Sequence, residues 1–382
     1  MKKVGIITVH CLPNWGSVLQ AYALQQVIKR LGFEVENIDY RFPNEFHWER
    51  GKKWGMKPPL TLRNMFRGIK NTAMYAMNLK ARPLMHLLDL FIKNNMKLSK
   101  RYVNYNELHK NPPIYDIYIS GSDQIWNPNT MLGDYSYMFD FAPADAKIIS
   151  YASSFSCRNI PEHMKPQYKR LLSRYTSISV RENNGNLIIN ELLGRDVKVV
   201  LDPSLLLDGN EWRQLSMDGR KCLLPPKYIL CYMLAYTFSA DEPMNILLTR
   251  VQEKFKWPVI MLKNSPRNFT GEQFILPKNY GVGIPEFLYL IQNATIVVSS
   301  SFHGTAFALN MGIPLVALAK ENEDDRIASL INNIGLANDI LVMESEVKSK
   351  HFSPFYNVDK EQDRLNSLRK MSIDYLVENL QN

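Results

Sequence analysis

The sequence predicts an α/β protein of two consecutive α/β domains, residues 1–204 and 205–345, followed by a C-terminal segment over 346–382. Short buried-strand patterns alternate with helical ones from Val4 onward, as in parallel sheets. The alternation breaks after Leu201-Asp202-Pro203, where a strand gives way to the polar run from Gly209 to Gln214, and it resumes at Tyr228. At 382 residues the chain also exceeds what one core comfortably serves.

Val4 to Val9 reads as a buried strand. After the polar turn from Leu12 to Ser17, residues Val18, Leu19, Tyr22, Ala23, Val27 and Leu31 recur at helical spacing. Gly32 stops that helix and Glu34 to Tyr40 reads as the next strand, so the chain opens with a β-α-β unit, parallel and right-handed. Further strands are expected at 115–120, 146–153, 176–180 and 197–201. In the second half, strands are expected from Tyr228 and at 258–263, 295–300 and 313–319, with helices at 243–255, 283–294 and 305–312. In the tail, Leu365, Leu368, Met371, Leu376 and Leu380 mark one face of a long amphipathic helix.

With 46% hydrophobic and 22% charged residues the composition is that of a soluble globular protein. No stretch of about 18 uninterrupted apolar residues is present, and the start, MKKVGIITVH, lacks a signal peptide's longer apolar core, so a cytoplasmic location is expected. Cys11, Cys157, Cys222 and Cys231 lack ligand-like spacing, which suits reduced thiols; neither a disulfide frame nor a metal is expected. The net charge of +9 is local. From His47 to Asn111, 14 Lys and Arg stand against Glu49, Asp89 and Glu107, which leaves 32 basic and 34 acidic residues for the rest. A nucleic-acid partner is therefore not expected. Segment 47–111 is read as a basic helical insertion in the first domain, split by Pro83. Two readings stay open for it: a solvated face packed on the domain, or a surface that meets anionic lipid at the inner face of the membrane or an acidic, lipid-linked acceptor.

Ligands of parallel α/β sheets gather beyond the carboxyl ends of the strands. After the first strand, Asn14-Trp15-Gly16-Ser17 matches neither a dinucleotide fingerprint nor a Walker loop, and Asn14 is a candidate substrate ligand. After 115–120, Gly121 allows close backbone approach, Ser122, Asp123, Gln124 and Asn127 offer polar groups, and Trp126 offers a flat apolar face. That mixture suits a sugar, though a turn capped by Asp123 also accounts for it. After 176–180 stands Arg181, either an anion ligand or the structural partner of Glu182 or Asp202. The stretch from Ser299 to Leu309 leaves a strand through small residues. Thr305 is expected to start a helix whose N–H groups, with Gly304 and Ser301, favour an anion beside His303. His303 is then placed to share a proton.

The blocks PNWGSVLQAYAL, DIYISGSDQIWN, ISVRE, VVLDPSLLL and SSFHGTAFALNMGIPLVAL, in that order over nearly the whole chain, resemble the polysaccharide pyruvyl transferase family. The resemblance implies a GT-B-like fold, two Rossmann-like domains facing across a cleft, with the first on the acceptor side, the second on the donor side and the C-terminal helix returning to the first. It implies transfer of a pyruvyl group from phosphoenolpyruvate to a sugar of a surface polysaccharide or its lipid-linked precursor, giving a ketal. Carried over by motif, Arg181 is a donor-anion ligand and His303 the catalytic histidine. Asp123 is a candidate to take the sugar's proton. Some relatives have arginine where this chain has Phe302, which leaves one donor contact to Lys263 or Arg326. The expected donor is a substrate, and no cofactor is implied. A nucleotide-sugar glycosyltransferase and a non-catalytic saccharide-binding protein remain the rival readings.

Overall fold

The computed structural model describes residues 1–41, 62–77, 80–234, 241–262, 264–320 and 325–381. Part of the basic segment and Lys263 lie outside these. Two five-stranded parallel sheets organise the chain, the α/β architecture of two Rossmann-like units expected for a GT-B-like protein. The first has the order β3-β2-β1-β4-β5, from β1 (Lys3–Ile7), β2 (Glu34–Tyr40), β3 (Leu98–Tyr102), β4 (Ile117–Ser120) and β5 (Lys147–Ser150). Every strand pair in it is parallel, with Val4 facing Val35 on one side and Ile117 on the other. A short pair, β6 (Ser179–Val180) and β7 (Lys198–Val199), is tied to its β5 edge by a parallel bridge from Ile149 to Ser177. The second sheet has the order β12-β11-β10-β8-β9, from β8 (Ile229–Tyr232), β9 (Val259–Met261), β10 (Ile296–Ser299), β11 (Leu315–Ala319) and β12 (Leu341–Met343).

Helix α1 (Trp15–Arg30) follows β1. Asn14 caps it by accepting the Gly16 N–H at 3.0 Å, and Gly32, at φ 91°, terminates it in the left-handed conformation that glycine adopts without strain. In the basic segment, α2 (Leu62–Ala76) and α3 (Leu84–Asn95) flank Pro83, which occupies the cap of α3. The expectation of an all-helical insertion is wrong at its end. Residues 98–102 form β3, an edge strand beside β2. Its exposed Lys100 and Arg101 gave it no apolar alternation to read, and such charges are what blunts an edge against further pairing.

One hydrophobic cluster spans both sheets, and each unit has a second cluster of its own. Trp15, at the start of α1, stacks on Phe287 of the second unit with ring centroids 5.1 Å apart and planes 4° from parallel, and its indole N–H donates to Val282 O at 2.9 Å. Helix α4 (Asn183–Leu193) follows β6, α5 (Phe302–Asn310) follows β10, and α6 (Asp325–Ile334) follows β11. The last helix, α7 (Val358–Gln381), crosses back to the first unit. Tyr375 donates to Ser150 O at 2.9 Å, Ser372 Oγ accepts the Leu201 N–H at 3.0 Å, and Arg369 Nε donates to Leu205 O at 2.7 Å.

Candidate active site

The carboxyl ends of β1, β4 and β6 in the first unit and of β10 in the second bring their following turns together. Asp202, in the turn after β7, is the hub. It is 1% exposed; its Oδ2 accepts Arg181 Nη1 at 2.9 Å and Ser122 Oγ at 2.8 Å, and its Oδ1 accepts Ser204 N at 2.9 Å and Ser204 Oγ at 2.6 Å. His303 Nε2 stands 3.8 Å from the same Oδ1. Around Arg181, Nη2 lies 3.8 Å from Asp123 Oδ1 and Nε 3.9 Å from Glu182 Oε2, while Phe302 lays its ring 4.4 Å from the guanidinium carbon. Asp123, at φ 73°, ties the cluster to α1: its Oδ2 accepts Ser17 Oγ at 2.7 Å. Glu182 Oε1 accepts the Ser154 hydroxyl and the Phe155 and Ser156 N–H groups. The side chain of Arg181 is 1% exposed, yet its Nε and Nη2 have no hydrogen-bond partner; the same holds for His303 Nε2 and Thr305 Oγ1. Buried donors without acceptors are costly in a folded protein unless something else satisfies them.

The charges set the protonation states. Burial holds the His303 imidazole below its ordinary value; the Asp202 and Asp123 carboxylates pull it up, and the Arg181 and Arg326 guanidiniums press it down again. The imidazole is therefore neutral at rest. Burial alone would raise the Asp202 carboxyl, but His303, Arg181 and the Ser204 donors hold it below the usual range; beside a neutral imidazole, Arg181 and Ser204 carry that effect. Burial raises Glu182 against the pull of Arg181.

The start of α1 fixes the imidazole from the other side, because a Cβ on residue 16 would overlap the His303 ring. Alanine is the better helix former by about 1 kcal/mol, so Gly16→Ala costs little local helix stability. The displaced ring is nonetheless expected to lower kcat by about 100-fold, the scale of a misplacement near 1 Å. Turnover measured beside a thermal melt checks this; unchanged turnover would mean that the ring position is immaterial.

The model of the family described as polysaccharide pyruvyl transferase matches residues 14–322, far more than half of the chain. The chain belongs to the polysaccharide pyruvyl transferase family. That makes it a transferase of polysaccharide biosynthesis, and the match runs through every turn of the cluster from Asn14 to His303. No curated protein matches it. Among solved structures it is similar to the UDP-GlcNAc 2-epimerase from Neisseria meningitidis bound to UDP-GlcNAc, at 11% identity and TM-score 0.46 over 100% of both chains. It is also similar to the UDP-GlcNAc 2-epimerase from Methanocaldococcus jannaschii, at 12% identity and TM-score 0.44 over 97% of this chain and 100% of that one. A third is Acinetobacter baumannii MurG, at 10% identity and TM-score 0.41 over 100% of this chain and 99% of that one. Likeness at that level carries nothing about ligands, and the two-sheet architecture rests on the strand order itself.

Measured against the sequence expectations, Arg181, His303, Asp123 and Ser122 converge in this transferase. Of the two readings left open for Arg181, the structural pairing with Asp202 is present, and its Nε and Nη2 keep no hydrogen-bond partner. Arg326, on α6, is buried and near enough for its charge to act on His303 and Glu182. Lys263 lies outside the described residues. Asn14 and Asn127 are helix caps; Tyr232 O–H also donates to Asn14 at 3.5 Å, and Asn127 accepts the Asn129 N–H at 2.9 Å. Gln124, half-buried at the rim, gives its N–H to Asp123 Oδ1.

Three expectations need correcting. Trp126 offers no face to a sugar: it is fully buried, packed against Phe155 and Tyr175. The helix after β10 starts at Phe302, not Thr305. Ser301 is its cap and takes the Gly304 N–H on Oγ and the Thr305 N–H on its carbonyl, so those two N–H groups are already committed. Gly121 and Gly304 serve packing: a Cβ at 121 would press on Thr8 and one at 304 would overlap Ser299 and Tyr232. Sequence reasoning left out Asp202, Glu182, Gly16 and Ser17 as site residues. The Asp-Pro after a strand is the available signal for Asp202, and in sequence it reads equally as a domain boundary. Among the described residues no group of three or more His, Cys, Asp or Glu is placed to hold a metal.

Proposed function

We propose that the protein transfers a pyruvyl group from phosphoenolpyruvate to two hydroxyls of one sugar in a surface polysaccharide or its lipid-linked precursor, forming a ketal and releasing phosphate. The observation that carries this reading is the unspent set of buried donors, Arg181 Nε and Nη2 with His303 Nε2, gathered around Asp202. Phosphoenolpyruvate brings a phosphate and a carboxylate, and Arg181 and the buried Arg326 are two cations to meet them. In the reaction the methylene carbon takes a proton from His303 Nε2 and becomes the methyl group, leaving an oxocarbenium-like carbon. One sugar hydroxyl attacks that carbon and loses its proton to Asp123 or solvent. Phosphate leaves with the electrons of its C–O bond, and the second hydroxyl closes the ketal. The first hydroxyl proton passes on from Asp123 or solvent to His303, and the second leaves with the phosphate.

The neutral resting imidazole makes the donor its own activator. Bound phosphoenolpyruvate places negative charge beside His303, which favours the imidazolium that protonates carbon. The sign follows. In the free enzyme the charged imidazole is lost as pH rises through a value below the ordinary 6.5, so kcat/KM falls there; in the complex the loss comes at higher pH, so the alkaline limb of kcat lies above that of kcat/KM. Phosphate release from phosphoenolpyruvate across a panel of lipid-linked glycans, followed with pH, tests both statements. Protection by a nucleotide sugar together with indifference to phosphoenolpyruvate would replace this reading with glycosyl transfer.

A further inference from the structure

Helix α2 is amphipathic with its apolar side outward. Met65 is 51% exposed, Phe66 70% and Ile69 66%, and Met77, one residue past its end, is 60% exposed. Residues 65, 66, 69, 73 and 76 fall on one face at helical spacing, and the half-buried positions, Asn71 and Met74, fall on the other. Soluble proteins do not ordinarily spend an apolar helical face on water.

The charge around it is one-sided. From Arg63 to Leu88 the sequence holds five Lys and Arg and no acid. Lys70, Lys80 and Arg82 are exposed beside the apolar face. A second copy of this chain would bring the same positive field against it, so charge disfavours self-association there. At 15 residues, about 22 Å, the helix is too short to cross a bilayer, and no helix among the described residues is long and apolar enough to do so.

We propose that α2 lies in the interface of an anionic bilayer, its Met65, Phe66 and Ile69 side chains among the acyl boundary and its flanking cations on the headgroups. Apolar insertion and charge attraction are the two signals that reversible peripheral binding requires. Helix α3, which continues the segment, packs Leu87 near Gly281 and Gly283 of the second unit. The inference does not depend on the donor, because it is read from binding alone.

The experiment is flotation of the full chain with vesicles of phosphatidylglycerol mixed with phosphatidylcholine, and with phosphatidylcholine alone. The parent is expected to float with the anionic vesicles, less so at high salt, and to stay behind with the neutral ones. The pair Phe66→Glu and Ile69→Glu, and separately the pair Lys70→Glu and Arg82→Glu, should each lower the partition coefficient by about tenfold or more. These side chains are exposed, so thermal melts of the variants should match the parent. A parent that ignores anionic vesicles, or variants that float as it does, would overturn the proposal. So would a parent that is dimeric by light scattering and becomes monomeric with Phe66→Glu and Ile69→Glu.

Discussion

Replacing His303 with asparagine is expected to lower kcat for phosphate release by about 10²- to 10⁴-fold, the usual worth of a positioned general acid. Asparagine can bond to the donor but cannot hand a proton to carbon. Arg181 keeps its pairing with Asp202 in the variant, so the KM for phosphoenolpyruvate should move far less than kcat. Stability supplies a second readout with a definite sign. The folded-state value of His303 is depressed below the ordinary 6.5 by burial, so its contribution to stability is present above 6.5 and is lost as pH falls through the folded value. The asparagine variant should lack that part of the acid-side loss, which denaturant unfolding at several pH values measures. Turnover surviving within about tenfold would remove His303 from the proton-transfer step.

The same residues show what a sequence can disclose. The strands and crossovers were legible because each unit repeats an apolar run, a turn and a helical stripe, and these patterns are local. β3 and β12 were not, since one is a charged edge and the other follows directly on a short helix, Ala337–Ile340, with no turn signal between them. At the site, Arg181 and His303 stood out because a cation and an imidazole at strand ends are costly without a purpose. Asp202 did not, because its role comes from where β7 ends relative to α5, a distance set by tertiary packing. Trp126 misled for the related reason that an aromatic beside polar residues looks the same in sequence whether it faces a ligand or the core. Gly16 is legible only once the imidazole is seen against it.

Removing the guanidinium with Arg181→Leu should have the largest effect on stability, a loss of about 3–5 kcal/mol, because it strips the cation from a buried group of carboxylates. Asp202, Asp123 and Glu182 all lie within 3.9 Å of Arg181, and the side chain of Asp202 is fully buried. In the parent, the depressed Asp202 value stabilises the fold above the ordinary 3.8, and that contribution is lost as pH falls through the folded value. In the variant burial pushes the Asp202 carboxyl upward instead, and it can be protonated. The stability gap should therefore be widest near neutral pH and narrow toward pH 4, which unfolding curves across that range resolve. Two companions separate folding from chemistry. Arg181→Lys keeps the charge but loses the planar fork, so it should hold more stability than leucine while still binding phosphoenolpyruvate poorly. Replacing Arg181 and Asp202 together by leucine removes both members of the pair and should recover part of the lost stability without recovering turnover. If the double variant is as unstable as Arg181→Leu alone, the cost lies in packing around Phe302 and not in the orphaned charge.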